Sequence, residues 1–133
     1  MALVPQTSRL WRRTHAIRGA TSVEADNPQL ITEATRELLE RIVERNWLEV
    51  DEIVSVLFTV TSDLKSLFPA VAARQMGWVG VPLLCASEIP VEGSLPRCLR
   101  TLVQVELRAP RPLDTHVYLH DAVALRPDVA SRA

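Results

Sequence analysis

The chain has 133 residues, 47% hydrophobic and 23% charged, with a formal net charge of −1. That balance points to one globular domain and lacks the basic face that nucleic acid requires. No apolar run nears the roughly 18 residues that cross a membrane, and no basic stretch leads into an apolar one at the start. We therefore expect a cytoplasmic protein that engages neither nucleic acid nor membrane.

Residues 1–11 have no clear period and contain Pro5. They read as a flexible N-terminal extension, ahead of a single domain over 12–128 and a short tail over 129–133. "RTHAIRGATSV" is a first strand that meets Gly19 as it ends. "NPQLITEATRELLERIVERN" is the strongest helix signal. Asn27 can cap it, Pro28 suits its first turn, and Leu30, Ile31, Ala34, Leu38, Ile42 and Val43 form one apolar stripe. "DEIVSVLFTVTSD" opens with a turn and becomes a nearly continuous apolar strand, the pattern of a strand covered on both faces.

"FPAVAARQMG" is a short helix stopped by Gly77, and "GVPLLCASEI" is a third strand. Pro90, Gly93 and Pro96 punctuate the link to "RCLRTLVQVEL". There the odd positions Leu99, Thr101, Val103, Val105 and Leu107 make an apolar face, while Arg100 falls on the even face. "HVYL" is a last short strand, and "HDAVALRPD" leads into the tail. The predicted fold is α+β: a mixed sheet of about five strands with one long and one short helix on one side.

Cys85 and Cys98 lack CxxC spacing, so reduced thiols are expected. His116 and His120 are four apart without an HExxH pattern, so no metal is expected. No GxSxG elbow, P-loop or GxGxxG is present, and Cys85 has no base near it in sequence. What stands out is arginine. Lys65 is the only lysine among 15 Lys+Arg. Arg18 ends "AIR", Arg74 lies in the short helix, Arg100 interrupts an apolar strand and Arg126 precedes Pro127. With Glu88 and Tyr118, they suggest a pocket for a polyanion, built for positioning and electrostatics rather than covalent chemistry.

At these residues the sequence resembles the monofunctional AroH class of chorismate mutases. "IRGATSVEADNP", "TVTSDLKSLFPAVAAR", "GWVGVPLLCASEIPVEGSLPRCLR", "HVYL" and "LRPD" stand in the family's order, covering about Arg13 to Asp128. The resemblance implies rearrangement of chorismate to prephenate, a step toward phenylalanine and tyrosine, without a cofactor. It also implies a homotrimeric pseudo-barrel with a site at each subunit interface.

By position, it implies that Arg18 holds a substrate carboxylate and approaches the ether oxygen, that Arg100 faces that oxygen as its C–O bond breaks, and that Glu88 holds the ring hydroxyl beside the Cys85 segment. Phe68, Ala70, Leu83, Leu84 and Leu125 would line the site, Tyr118 would meet the side-chain carboxylate, and Arg74 and Arg126 would close the mouth. Val71 and Leu84 stand where a well-known member has lysine and threonine, which makes the mouth less basic here. Strand parity adds a constraint: Cys85 and Glu88 are three apart, so an ideal strand puts them on opposite faces. Two alternatives remain: a trimeric imine or enamine hydrolase of similar architecture, and a non-catalytic trimer that binds an aromatic-pathway metabolite.

Overall fold

The computed structural model describes residues 12–114 and 116–126. The extension 1–11, the tail 129–133 and the domain's last two positions, 127 and 128, lie outside the described residues.

Five strands form one mixed sheet. They are β1 (Thr14–Ser22), β2 (Ile53–Val60), β3 (Leu83–Ser87), β4 (Cys98–Glu106) and β5 (Val117–Tyr118). Their order across the sheet is β3-β2-β4-β1-β5. β4 runs antiparallel to both β1 and β2, while β3 is parallel to β2 and β5 is parallel to β1. The long helix α1 (Pro28–Asn46) begins as its sequence requires: Asn27 Oδ1 accepts from the amides of Gln29 (2.9 Å) and Leu30 (3.1 Å). Such a cap stabilises a helix by about 1 kcal/mol. α1 ends at Trp47, whose backbone is left-handed at φ 49°. The short helix α2 spans Ala70–Gln75.

Both helices lie on one face of the sheet. Ile31, Leu38, Leu39 and Ile42 of α1 and Ala70 and Ala73 of α2 pack with Ile17, Phe58, Leu99, Val103 and Val105 in one core. The odd residues of β4 thus face the helices, as the alternation predicts. Gly19 does not end β1. It lies mid-strand, where an added Cβ would sit 2.8 Å from Ile42 Cδ1 and 3.1 Å from Leu38 Cδ1. The missing side chain lets α1 lie close against the strand.

Two further expectations need correction. β2 is not covered on both faces within one chain: Phe58 is fully buried, but Val54 is 47% exposed and Leu57 half-buried. Its second face lies on the side without helices. "HDAVAL" is also more ordered than a lead into a tail. His120–Leu125 forms a 3-10 segment, anchored by fully buried Ala122 and by the Leu119 amide donating to Ala20 O.

Candidate active site

The helix-free face of the sheet gathers the polar residues singled out in the sequence. Ala86 pairs with Thr59, Thr59 with Arg100, Arg100 with Ala20, and Ala20 with Tyr118, so one row crosses all five strands. Directly paired residues share a face. The neighbouring row holds Leu84, Leu57, Leu102 and Arg18. Arg18, Leu84, Arg100 and Tyr118 therefore stand on one surface, opposite the core.

Glu88 joins them just past the end of β3. Its amide donates to Val60 O at 2.9 Å, which continues the ladder by one residue. Its Oε2 accepts from Thr59 Oγ1 at 2.8 Å and lies 3.1 Å from Arg100 Nε. The carboxylate side chain is 15% exposed and the Arg100 side chain 46% exposed. One edge of the guanidinium is thus engaged while much of the group stays open to a ligand. Cys98, two residues before Arg100, is fully buried. Burial pushes its thiol up, against the pull of the Arg100 charge, so it remains a neutral thiol and a poor nucleophile.

Tyr118 is buried with Ala20 and Ala122, with Leu95 and Leu125 packed against them. The phenol thus stands on a small apolar platform. Arg126 follows directly, half-buried at the end of the 3-10 segment. Arg18 is exposed, and its amide donates to His116 Nδ1 at 3.0 Å. That bond ties the strand carrying Arg18 to the start of β5.

The other expected site residues lie across the sheet. Cys85 pairs with fully buried Phe58 and Leu83 with buried Val56, so both side chains follow the core face. Parity held: the Cys85 side chain and Glu88 are on opposite faces, so Cys85 itself can reach the Glu88 side through its backbone only. Ala70 is buried in the core, Arg74 is exposed on α2, and Phe68 is 71% exposed. Phe68 and Cys85 line a separate groove of about 450 Å³ with Val60 and Ser87. Within one chain, then, Arg18, Leu84, Glu88, Arg100, Tyr118, Leu125 and Arg126 form one group, and Phe68, Ala70, Arg74, Leu83 and Cys85 another.

Two supporting residues were not foreseen. Thr59 carried a signal, a hydroxyl in an apolar run, but its partner depends on the β2/β4 register. His116 stands beside Arg18 only because β5 pairs with β1.

A family profile described as chorismate mutase type I matches residues 14–129. The chain belongs to the type I chorismate mutase family. Its activity is accordingly that of a chorismate mutase, an isomerase of the AroH class. It is 53% identical over 116 residues to "Chorismate mutase AroH" of Thermus thermophilus, covering 86% of this chain and 95% of that one. It is 42% identical over 115 residues to "Chorismate mutase AroH" of Bacillus subtilis (strain 168), covering 86% and 91%. Among solved structures, "Chorismate mutase from Clostridium thermocellum Cth-682" superposes with a TM-score of 0.79 at 44% identity, covering 83% of this chain and 98% of that one. The mixed five-stranded sheet with few helices is thus this family's fold.

Proposed function

We propose that the chain converts chorismate to prephenate, in the cytoplasm and on the route to phenylalanine and tyrosine, within a homotrimer whose sites lie between subunits. The observation that carries the chemistry is the Thr59–Glu88–Arg100 unit on a sheet row shared with Tyr118 and flanked by Arg18. Chorismate is a dianion whose enolpyruvyl arm must fold over its ring. Arginines that hold its carboxylates select that arrangement from those available in water. Arg18 holds a carboxylate and approaches the ether oxygen, Tyr118 meets the side-chain carboxylate, and Glu88 with the backbone near Cys85 holds the ring hydroxyl. Leu84 and Leu125 line the apolar wall.

As the ether C–O bond breaks, negative charge grows on its oxygen. A guanidinium already fixed by Glu88 needs no reorganisation to meet that charge. The contact is stronger in the transition state than in the ground state, so it raises the rate and not merely the affinity.

The split of residues across the sheet supports the trimer. No single copy can bring the exposed Phe68 and Arg74 to the face that carries Arg100, whereas Ala70 stays in its own core. A neighbouring copy in a closed ring can, with Arg74 and Arg126 then closing the mouth. The helix-free face also presents half-buried Leu57 and Leu102, and Leu84 at 66% exposure. An apolar surface of that kind marks an interface.

The test is to incubate the purified protein with chorismate, follow the loss of its absorbance and identify prephenate by NMR, with light scattering across protein concentrations. Prephenate formation by a trimer is expected. Turnover of an imine in place of chorismate, binding of chorismate without turnover, or an active monomer would overturn the reading.

A further inference from the structure

Away from the Arg100 face edge, a groove of about 590 Å³ lies between α1, the β1–α1 connection and the 3-10 segment His120–Leu125. At its rim His120 Nε2 lies 2.7 Å from Glu37 Oε1. The pair joins residues 83 apart in sequence and pins the start of the 3-10 segment to the long helix. His120 has a left-handed backbone, φ 53°, which is uncommon for a non-glycine residue. The next residue is anchored as well: the Asp121 amide donates to Ser22 Oγ at 3.1 Å.

This segment connects Tyr118 to Leu125 and Arg126, and its Ala122 packs under Tyr118. The His120–Glu37 contact adds to these anchors at the segment's first residue. We infer that the His120–Glu37 pair is a pH-sensitive latch that holds the 3-10 segment, and with it Leu125 and Arg126, at the edge of the substrate site. The inference rests on the proposed role of those two residues in binding chorismate. His120 is a positioning residue in it, not a catalytic one.

The other charged residues that line the groove are all acidic. Glu37 and Glu33 come from α1, Glu24 from the β1–α1 connection, and Asp121 from the segment itself; no lysine or arginine lines the groove. With the imidazole protonated the contact is an ion pair; with it neutral, only an uncharged N–H can meet the same carboxylate. The latch tightens as pH falls.

The experiment compares wild type with Glu37→Gln, which keeps an acceptor oxygen in place and removes the charge, and with His120→Gln. Amide exchange of residues 119–126 is followed by mass spectrometry at pH 5.5 and pH 8, alongside chorismate kinetics. At pH 5.5, Glu37→Gln should lower protection of this segment and raise KM, each by about two- to fivefold, the range of an exposed ion pair, with kcat little changed. The gap between Glu37→Gln and wild type should narrow by pH 8, and His120→Gln should show no such pH dependence. Equal protection in all three proteins at pH 5.5 overturns the latch. Altered protection with equal KM overturns its role in positioning. Absence of chorismate turnover in the wild type overturns the proposed function instead, and the exchange measurements still decide the latch.

Discussion

Thr59 and Arg100 stand opposite each other on β2 and β4 and converge on the same Glu88 oxygen: the threonine hydroxyl donates to Oε2 at 2.8 Å, and Arg100 Nε lies 3.1 Å from it. Two strands thus fix one carboxylate, and the carboxylate fixes the guanidinium.

Removing the Thr59 hydroxyl tests that chain. Thr59→Val keeps the shape and deletes the donor. A hydrogen bond of this kind contributes about 1 kcal/mol net, so kcat should fall about fivefold. Thr59→Ser should restore most of it. Steady-state kinetics of the two variants decides the point: a Val variant at wild-type kcat would make Thr59 a bystander.

A second carboxylate governs stability. Buried Glu52 accepts from Arg111 Nη2 at 2.7 Å and Nη1 at 3.0 Å, and from the amides of Glu49 and Arg108. The Arg111 guanidinium above all, with those amides, holds its carboxyl at about 2, below its ordinary 4.5, although burial opposes this. A depressed folded value gives stability that is fully present above about 4.5 and lost as pH falls toward about 2. Urea unfolding across that window should show the loss in wild type and less of it in Glu52→Gln. Glu52→Ala, which leaves Arg111 without its partner, should cost about 3 kcal/mol at pH 7.

Asp26 ties the β1–α1 connection to the loop ahead of Phe68. Its Oδ1 accepts from the amides of Lys65 and Ser66, each at 3.0 Å. The Ser66 side chain, followed by those amides, holds its carboxyl below the usual range. Asp26→Ala should loosen the loop and raise KM for chorismate several-fold with a smaller change in kcat, while Asp26→Asn, which keeps an acceptor, should recover KM. Equal KM in all three proteins would detach this loop from substrate binding.

Local signals carried much of the fold. Asn27, Pro28 and the apolar stripe of α1 specify that helix within its own sequence. The alternation of β4 placed Arg100 opposite the core before any partner strand was known. Parity likewise separated Cys85 from Glu88. What local signals could not carry was pairing across distance. That Thr59 meets Arg100, or that His116 meets Arg18, follows from a strand order, β3-β2-β4-β1-β5, that no short stretch encodes. Gly19 misled for a related reason: a glycine that admits a crossing helix looks, in one dimension, like a glycine that ends a strand. The 3-10 segment was missed because its support, Ala122 beneath Tyr118, is a contact with residues already placed by the sheet.

Arg100 gives the sharpest test of mechanism. Arg100→Lys keeps a positive charge but loses the planar fork. Citrulline at position 100 keeps the shape and several N–H donors but loses the charge. If transition-state electrostatics dominate, both changes lower kcat. Loss of charge should cost more than the roughly 3–4 kcal/mol typical of removing a neutral oxyanion donor. KM should move less, since the ether oxygen carries little charge in the ground state. The fold should survive: Arg100 is 46% exposed and faces away from the core, so its removal opens no cavity there. Glu88, 15% exposed, would then lose its cationic neighbour but keep the Thr59 hydroxyl. The measurements are kcat and KM on the folded variants, with circular dichroism and light scattering as controls. A folded citrulline variant with near-wild-type kcat would leave Arg100 a binding or structural residue, and catalysis would then rest on Arg18 and on folding of the substrate alone.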